Sequence, residues 1–181
     1  NPEVVIEKLN TLNCSYTALP YPKNMNFLDI NVLDKFIEDI NIAGSIFNKA
    51  NKVLCYHNHA LEFQKINSEI ILERIYKNTN NKCIQGEPDI YWIQKGGHDP
   101  ISWCKKLKNR LPLIHLKDFI MLNEHESYYA EIGNGNLDIK NIIKEAELSG
   151  CKWYIVEQDE CQGDPFTSIE TSFNNLLQFV T

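Results

Sequence analysis

The chain has 181 residues, 43% of them apolar, the size of one domain (1–181) with enough hydrophobic material for a core. A net charge of −6 and a pI near 5.4 exclude a nucleic-acid surface, because no basic run is present to neutralise phosphates. No segment approaches the ~20 apolar residues of a membrane span, and six cysteines without a C-x-x-C pair read as reduced thiols of a cytoplasmic protein.

Asn1-Pro2-Glu3 reads as an N-cap, an N1 proline and an acidic first turn, and no signal peptide is expected there. Val4, Val5, Leu9 and Leu12 continue a helix that Asn13 stops in a left-handed turn. Residues 14–19 form a short strand ended by Pro20 and Pro22, and Leu33, Phe36, Ile37, Ile40 and Phe47 mark an amphipathic helix to about Asn48. Val53 to Asn58 is the next strand, and Ser68 is placed to cap a helix containing Ile71, Leu72 and Ile75. A strand over Cys83 to Ile90 is interrupted by Gly86 and Pro88, and Asp99-Pro100 opens a helix to about Asn109. Leu111 to Leu116 is a strand, 121–136 a long polar loop, 137–149 a helix closed by Gly150, and 153–158 the last strand. Thr167-Ser168-Ile169-Glu170 reads as a capping box, with Ile169, Phe173, Leu176, Leu177 and Val180 on one apolar face.

Five strands thus alternate with helices, which predicts parallel pairing and burial on both faces. Gly133-Asn134-Gly135 lacks the preceding strand and third glycine of a dinucleotide fingerprint. Ligand-type residues instead recur at strand ends: His57, His59 and Glu62 after the second strand, then Asp89, His115 and Glu157. That placement suits the C-terminal rim of a (β/α)-barrel, although a closed eight-unit barrel takes about 250 residues.

The ordered set Tyr56-His57-Asn58-His59-Ala60-Leu61-Glu62-Phe63, Asp89-Ile90-Tyr91-Trp92, Gly97-His98-Asp99-Pro100, His115-Leu116-Lys117-Asp118, Glu131-Ile132-Gly133-Asn134-Gly135 and Val156-Glu157-Gln158-Asp159 resembles the sugar phosphate isomerase/epimerase family. These are xylose isomerase-like TIM barrels related to type 2 AP endonucleases. The resemblance covers essentially the whole chain and implies an α/β TIM-barrel type of fold. Its five parallel strands are equivalent to barrel strands 4–8, in an incomplete barrel lacking the first three βα units. Two open sheet edges then predict self-association as a homo-oligomer.

The resemblance also implies a divalent metal (Mn, Co, Mg or Zn) and a small sugar or polyol substrate. Asp89, His115 and Glu157 match the ligands from the last three strands. The fourth is Glu62 or His57, and Glu62 is favoured. In that reading Glu62, Glu157, His57 and Lys117 serve catalysis, while His59, Trp92 and Lys117 contact substrate. The ion supports proton abstraction next to a carbonyl and stabilises an enediolate. Three clustered carboxylates would repel one another, so at least one is expected to have a raised pKa. Two alternatives stand beside isomerase or epimerase: a lyase or dehydratase of inosose or 3-keto sugars, and an inactive truncated barrel acting as a binding module.

Overall fold

The structure is a computed structural model and describes residues 1–22 and 24–179. The chain divides into two compact units, Asn1–Glu87 and the remainder from Pro88. No change of composition marks this boundary, which falls between a strand and the proline after it.

In the first unit α1 (Pro2–Thr11) is capped as expected, the Asn1 side chain accepting from the Glu3 N–H at 3.0 Å. Asn13, at φ 49°, makes the left-handed stop. β1 (Tyr16–Leu19), α2 (Ile30–Lys49) and β2 (Val53–His57) follow. α2 buries Leu33, Ile37, Ile40, Gly44 and Phe47, spaced three or four apart along one stripe. Gly44 permits close approach to the sheet, because a Cβ there would lie 2.5 Å from the Cys83 carbonyl oxygen. After a 3-10 turn at Leu61–Phe63 come β3 (Lys65–Ile66), β4 (Glu69–Ile70), α3 (Ile71–Asn78) and β5 (Ile84–Glu87). β1, β2 and β5 form a parallel sheet in that order, with Leu19 opposite Tyr56 and His57 opposite Glu87.

Ser68 does not cap α3. Asn67 and Ser68, at φ 49° and 67°, are the two turn residues of the β3–β4 hairpin, a geometry that matches the right-handed twist of the flanking strands. The helix begins after Ile70, with no side-chain cap.

The second unit contains α4 (Ile90–Lys95), α5 (Pro100–Lys106), β6 (Leu113–Leu116), β7 (Asp118–Met121), β8 (Ser127–Ala130), α6 (Ile139–Leu148), β9 (Trp153–Val156) and α7 (Pro165–Leu176). β6 and β9 pair in parallel, Leu113 opposite Trp153 and Leu116 opposite Val156. α5 and α6 pack on each other, burying Trp103 and Cys104 from one and Ile142, Ile143 and Ala146 from the other. The strand expected through Ile90 ends at Glu87, because Asp89 turns to cap α4 by accepting from the Trp92 N–H.

Two further expectations are corrected here. The segment 121–136 is not a long loop: β7 and β8 form an antiparallel hairpin, Asp118 opposite Ala130 and Met121 opposite Ser127. The β-formers Phe119, Ile120, Tyr128 and Tyr129 prefer such a pleated surface, and pairing satisfies their backbone. The capping box at Thr167 is also displaced. Asp164 is the cap, accepting from the Thr167 N–H at 2.8 Å with Pro165 at N1, so the helix starts a turn earlier. The side of α7 turned inward carries Ser168 and Ser172, while Phe166, Ile169, Phe173 and Leu177 are exposed. Val180 of the expected apolar face lies outside the described residues.

Among the described residues the hydrogen-bonded strands close no ring. Parallel strands alternating with helices, unclosed, make a partial (β/α)-barrel.

Candidate active site and metal centre

Every ligand-type residue singled out from the sequence lies at or just past the C-terminal end of a parallel strand. In the second unit the site begins with backbone pairing. The His115 N–H donates to the Pro88 carbonyl at 3.0 Å, and Asp89 and His115 form a parallel bridge. The β6–β9 register continues one residue further, since the Glu157 N–H donates to the Leu116 carbonyl at 3.0 Å. Asp89, His115 and Glu157 are thereby brought together. Each offers one donor atom, and these atoms lie within 4.8 Å of one another.

The side chains are tied by charge. Glu157 Oε2 is 2.9 Å from His115 Nδ1 and 3.1 Å from Lys117 Nζ. Lys117, 2% exposed, also lies 3.0 Å from Asp159 Oδ2 and 3.8 Å from Asp89 Oδ2. Its ammonium faces the rings of Trp92, Tyr129 and Tyr91, with centroids at 5.4, 5.6 and 5.9 Å.

These contacts move the titrations apart. The hydrogen bond from His115, then those from Lys117, hold Glu157 down at about 2 against partial burial. Burial pushes Asp89 up to about 7, opposed by Lys117. One carboxyl of the set is thus raised, as expected, but burial rather than repulsion is the chief cause. Lys117 is disfavoured as a cation by burial, yet Asp89, Asp159 and Glu157 outweigh this and raise its pKa.

The first unit holds the other expected site residues. Glu62 is fully buried, and both its oxygens are engaged: Oε1 accepts from the Tyr56 hydroxyl at 2.9 Å and Oε2 from the His59 N–H at 3.1 Å. Burial raises its pKa, offset in part by these bonds. His57 Nδ1 is 3.8 Å from Glu87 Oε1. The His59 ring meets the rings of His57 and Tyr21 edge-on, with centroids 5.0 and 5.5 Å away.

Sequence reasoning passed over two contributors. Asp159 closes the motif Val156-Glu157-Gln158-Asp159, two positions after Glu157, but was given no role there. Tyr129 carried no signal, because its strand was read as loop. Its ring lies 5.3 Å from that of Tyr91, and burial first, then Asp159, raises the pKa of its hydroxyl. Asp118, beside Lys117, works on the backbone: its carboxylate accepts from the N–H groups of Phe119, Gly133, Gly135 and Leu137 at 2.9–3.2 Å.

The sequence model for xylose isomerase-like TIM barrels matches residues 5–177. The chain belongs to that family. No curated protein matches it significantly. Among solved structures, a sugar phosphate isomerase/epimerase from Parabacteroides distasonis superposes with TM-score 0.79 at 28% identity, covering 97% of this chain and 60% of that one. This chain therefore spans about three-fifths of that relative's length. The probable 3-DHS dehydratase AsbF from Bacillus anthracis superposes with TM-score 0.75 at 13% identity, covering 98% of this chain and 68% of that one. The IOLI protein with a bound zinc atom does so with TM-score 0.73 at 13% identity, covering 99% and 67%. At such identities these last two show the shared fold. As in other barrels of the family, the parallel strands deliver side chains from their C-terminal ends. Among the described residues no helix is long and apolar enough to cross a membrane.

Proposed function

We propose that this chain carries the catalytic face of a divalent-metal-dependent isomerase or epimerase acting on a small sugar or polyol derivative. The observation that carries the reading is the convergence of Asp89, His115 and Glu157, from three successive strand ends, within 4.8 Å. A mixed oxygen and nitrogen donor set without thiolate fits Mn²⁺, Co²⁺, Mg²⁺ or Zn²⁺. When bound, such an ion supplies Lewis-acid polarisation of a carbonyl and its neighbouring hydroxyl.

The chain's own residues do the rest. Glu157 accepts hydrogen bonds from His115 and Lys117, which orient its carboxylate at the end of β9. It is the group of this set placed to take a proton from the carbon beside a carbonyl. Lys117, kept cationic by its carboxylate neighbours, donates to the oxygen on which negative charge develops. Trp92 lies over the Lys117 ammonium and offers an aromatic wall to the carbon skeleton of the substrate. The resemblance adds Glu62 or His57 as a further ligand. Glu62→Gln and His57→Ala variants assayed for metal content decide that point.

Elemental analysis of the purified protein is expected to give one divalent ion per chain. His115→Ala and Glu157→Ala are expected to lose it and all turnover while keeping their far-UV circular dichroism, since the two side chains are only partly buried. NMR of the products separates epimerisation from loss of water. An ion-free protein, or variants with unchanged metal content, refutes the reading.

A further inference from the structure

A cleft of about 390 Å³ opens beside the Lys117 cluster, within the range of about 300–1,000 Å³ that small-molecule sites occupy. Its walls are Tyr91, Tyr128 and Tyr129, and its rim carries Lys95, Glu126 and Glu160. His125 also lines it at the hairpin tip. The rings of Tyr91 and Tyr129, 5.3 Å apart, are shared: both stand near the Lys117 ammonium and both line the cleft. The cleft therefore adjoins the place where the reacting end of a substrate would lie.

Its chemistry selects what enters. Aromatic faces with hydroxyls at their edges suit the alternating C–H and O–H surface of a polyol chain. Charge argues against an anion. At the rim Glu126 and Glu160 outnumber Lys95, and the Glu126 carboxylate is fixed by the Asn123 side-chain amide at 2.9 Å. Deeper in, Lys117 is already faced by Asp89, Glu157 and Asp159. At the rim a phosphate group would meet more negative than positive charge, with no helix N-terminus or arginine among the cleft residues to hold it.

We infer that the β7–β8 cleft is a subsite for the uncharged, hydroxyl-rich end of the substrate, and that the substrate is a free rather than a phosphorylated sugar or polyol. The inference rests on the metal-centred reading above for which end of the substrate reacts. Its test is nevertheless separate, because it reads binding to metal-free protein.

The test titrates protein treated with chelator with D-glucitol and, separately, with D-glucitol 6-phosphate, following the ring signals of Tyr128. Glucitol is expected to shift those signals and to bind about tenfold more tightly than its phosphate ester, the size of effect expected from two partly screened like charges. The isosteric pair Glu126→Gln and Glu160→Gln is expected to shrink that preference to about threefold or less. The inference is overturned if the phosphate binds as well as glucitol or better, if the double variant leaves the ratio unchanged, or if neither ligand moves Tyr128. Failure of the metal assay with a preference for glucitol would sink the proposed reaction and leave the subsite. A metal-bound protein preferring the phosphate would do the reverse.

Discussion

Replacing Asp118 should destabilise the second unit far more than a loop carboxylate ordinarily does. Asp118 is fully buried and accepts four backbone N–H groups, three of them from the 131–137 segment: Gly133 and Gly135 on Oδ2 and Leu137 on Oδ1. Hydrogen bonds to a charged acceptor contribute about 1.5–3 kcal/mol each, and the half-wet setting of these amides argues for the lower end or below. Asp118→Ala should therefore cost about 3–5 kcal/mol, a large part of the ~5–15 kcal/mol that holds a domain. Asp118→Asn keeps one acceptor oxygen and should cost roughly half as much. Gly135 tests the same clamp from the other side, because a methyl built there overlaps the Asp118 carboxylate. Gly135→Ala should be costly alone and less so on top of Asp118→Ala, a coupling that independent sites do not show, although the Phe119 carbonyl oxygen, 2.6 Å from the same methyl, keeps part of the cost. Urea denaturation followed by circular dichroism gives the energies, and amide exchange at Gly133, Gly135 and Leu137 locates them. An Asp118→Ala cost below about 1 kcal/mol, or loop amides exchanging as in the wild type, would show that the clamp does not hold the loop.

Glu62→Gln should lower stability by about 1–3 kcal/mol, because an amide cannot accept from both the Tyr56 hydroxyl and the His59 N–H. If Glu62 is also a ligand, metal content falls in the same variant, so denaturation and elemental analysis together separate the two roles. Glu69 is held below its ordinary value of 4.5 by Lys77 and then Arg74. Its stabilisation is therefore present above that value and lost as pH falls through the lowered one. Glu69→Gln should cost no more than about 1 kcal/mol at neutral pH and nothing in strong acid; a cost that persists in strong acid would exclude the ion pairs as its source. The exposed row of Phe166, Ile169, Phe173 and Leu177 on α7 should drive concentration-dependent self-association. Phe173→Lys should weaken it in sedimentation with stability unchanged to about 0.5 kcal/mol, and equal association in the variant would place the contact elsewhere.

Much of the fold was legible because the signals are local. Asn1-Pro2 and Asp99-Pro100 cap helices in the structure as they do on paper, and Asn13 and Gly150 stop them in left-handed turns. The apolar runs at 53–57, 113–116 and 153–156 are strands, and the helices between them impose parallel pairing. Where competing local signals exist the reading failed. Ser68 suits a helix cap as well as a hairpin turn, and Thr167 sits three residues after the better cap, Asp164. The polar look of 121–136 hid a hairpin whose strands read Asp118-Phe119-Ile120-Met121 and Ser127-Tyr128-Tyr129-Ala130.

Residue types at strand ends were a property of the sequence, and they named Asp89, His115 and Glu157 before any geometry was known. Which groups neutralise one another was decided only by tertiary structure. Lys117 meets Glu157 and Asp159 because β6 and β9 pair with Leu116 opposite Val156, a register across some forty positions that no local pattern encodes. The β7–β8 hairpin likewise carries Tyr129 to the Lys117 ammonium, and serines rather than phenylalanines face inward on α7. Periodicity says which face of an element is apolar; only packing against a particular neighbour says what that face will touch.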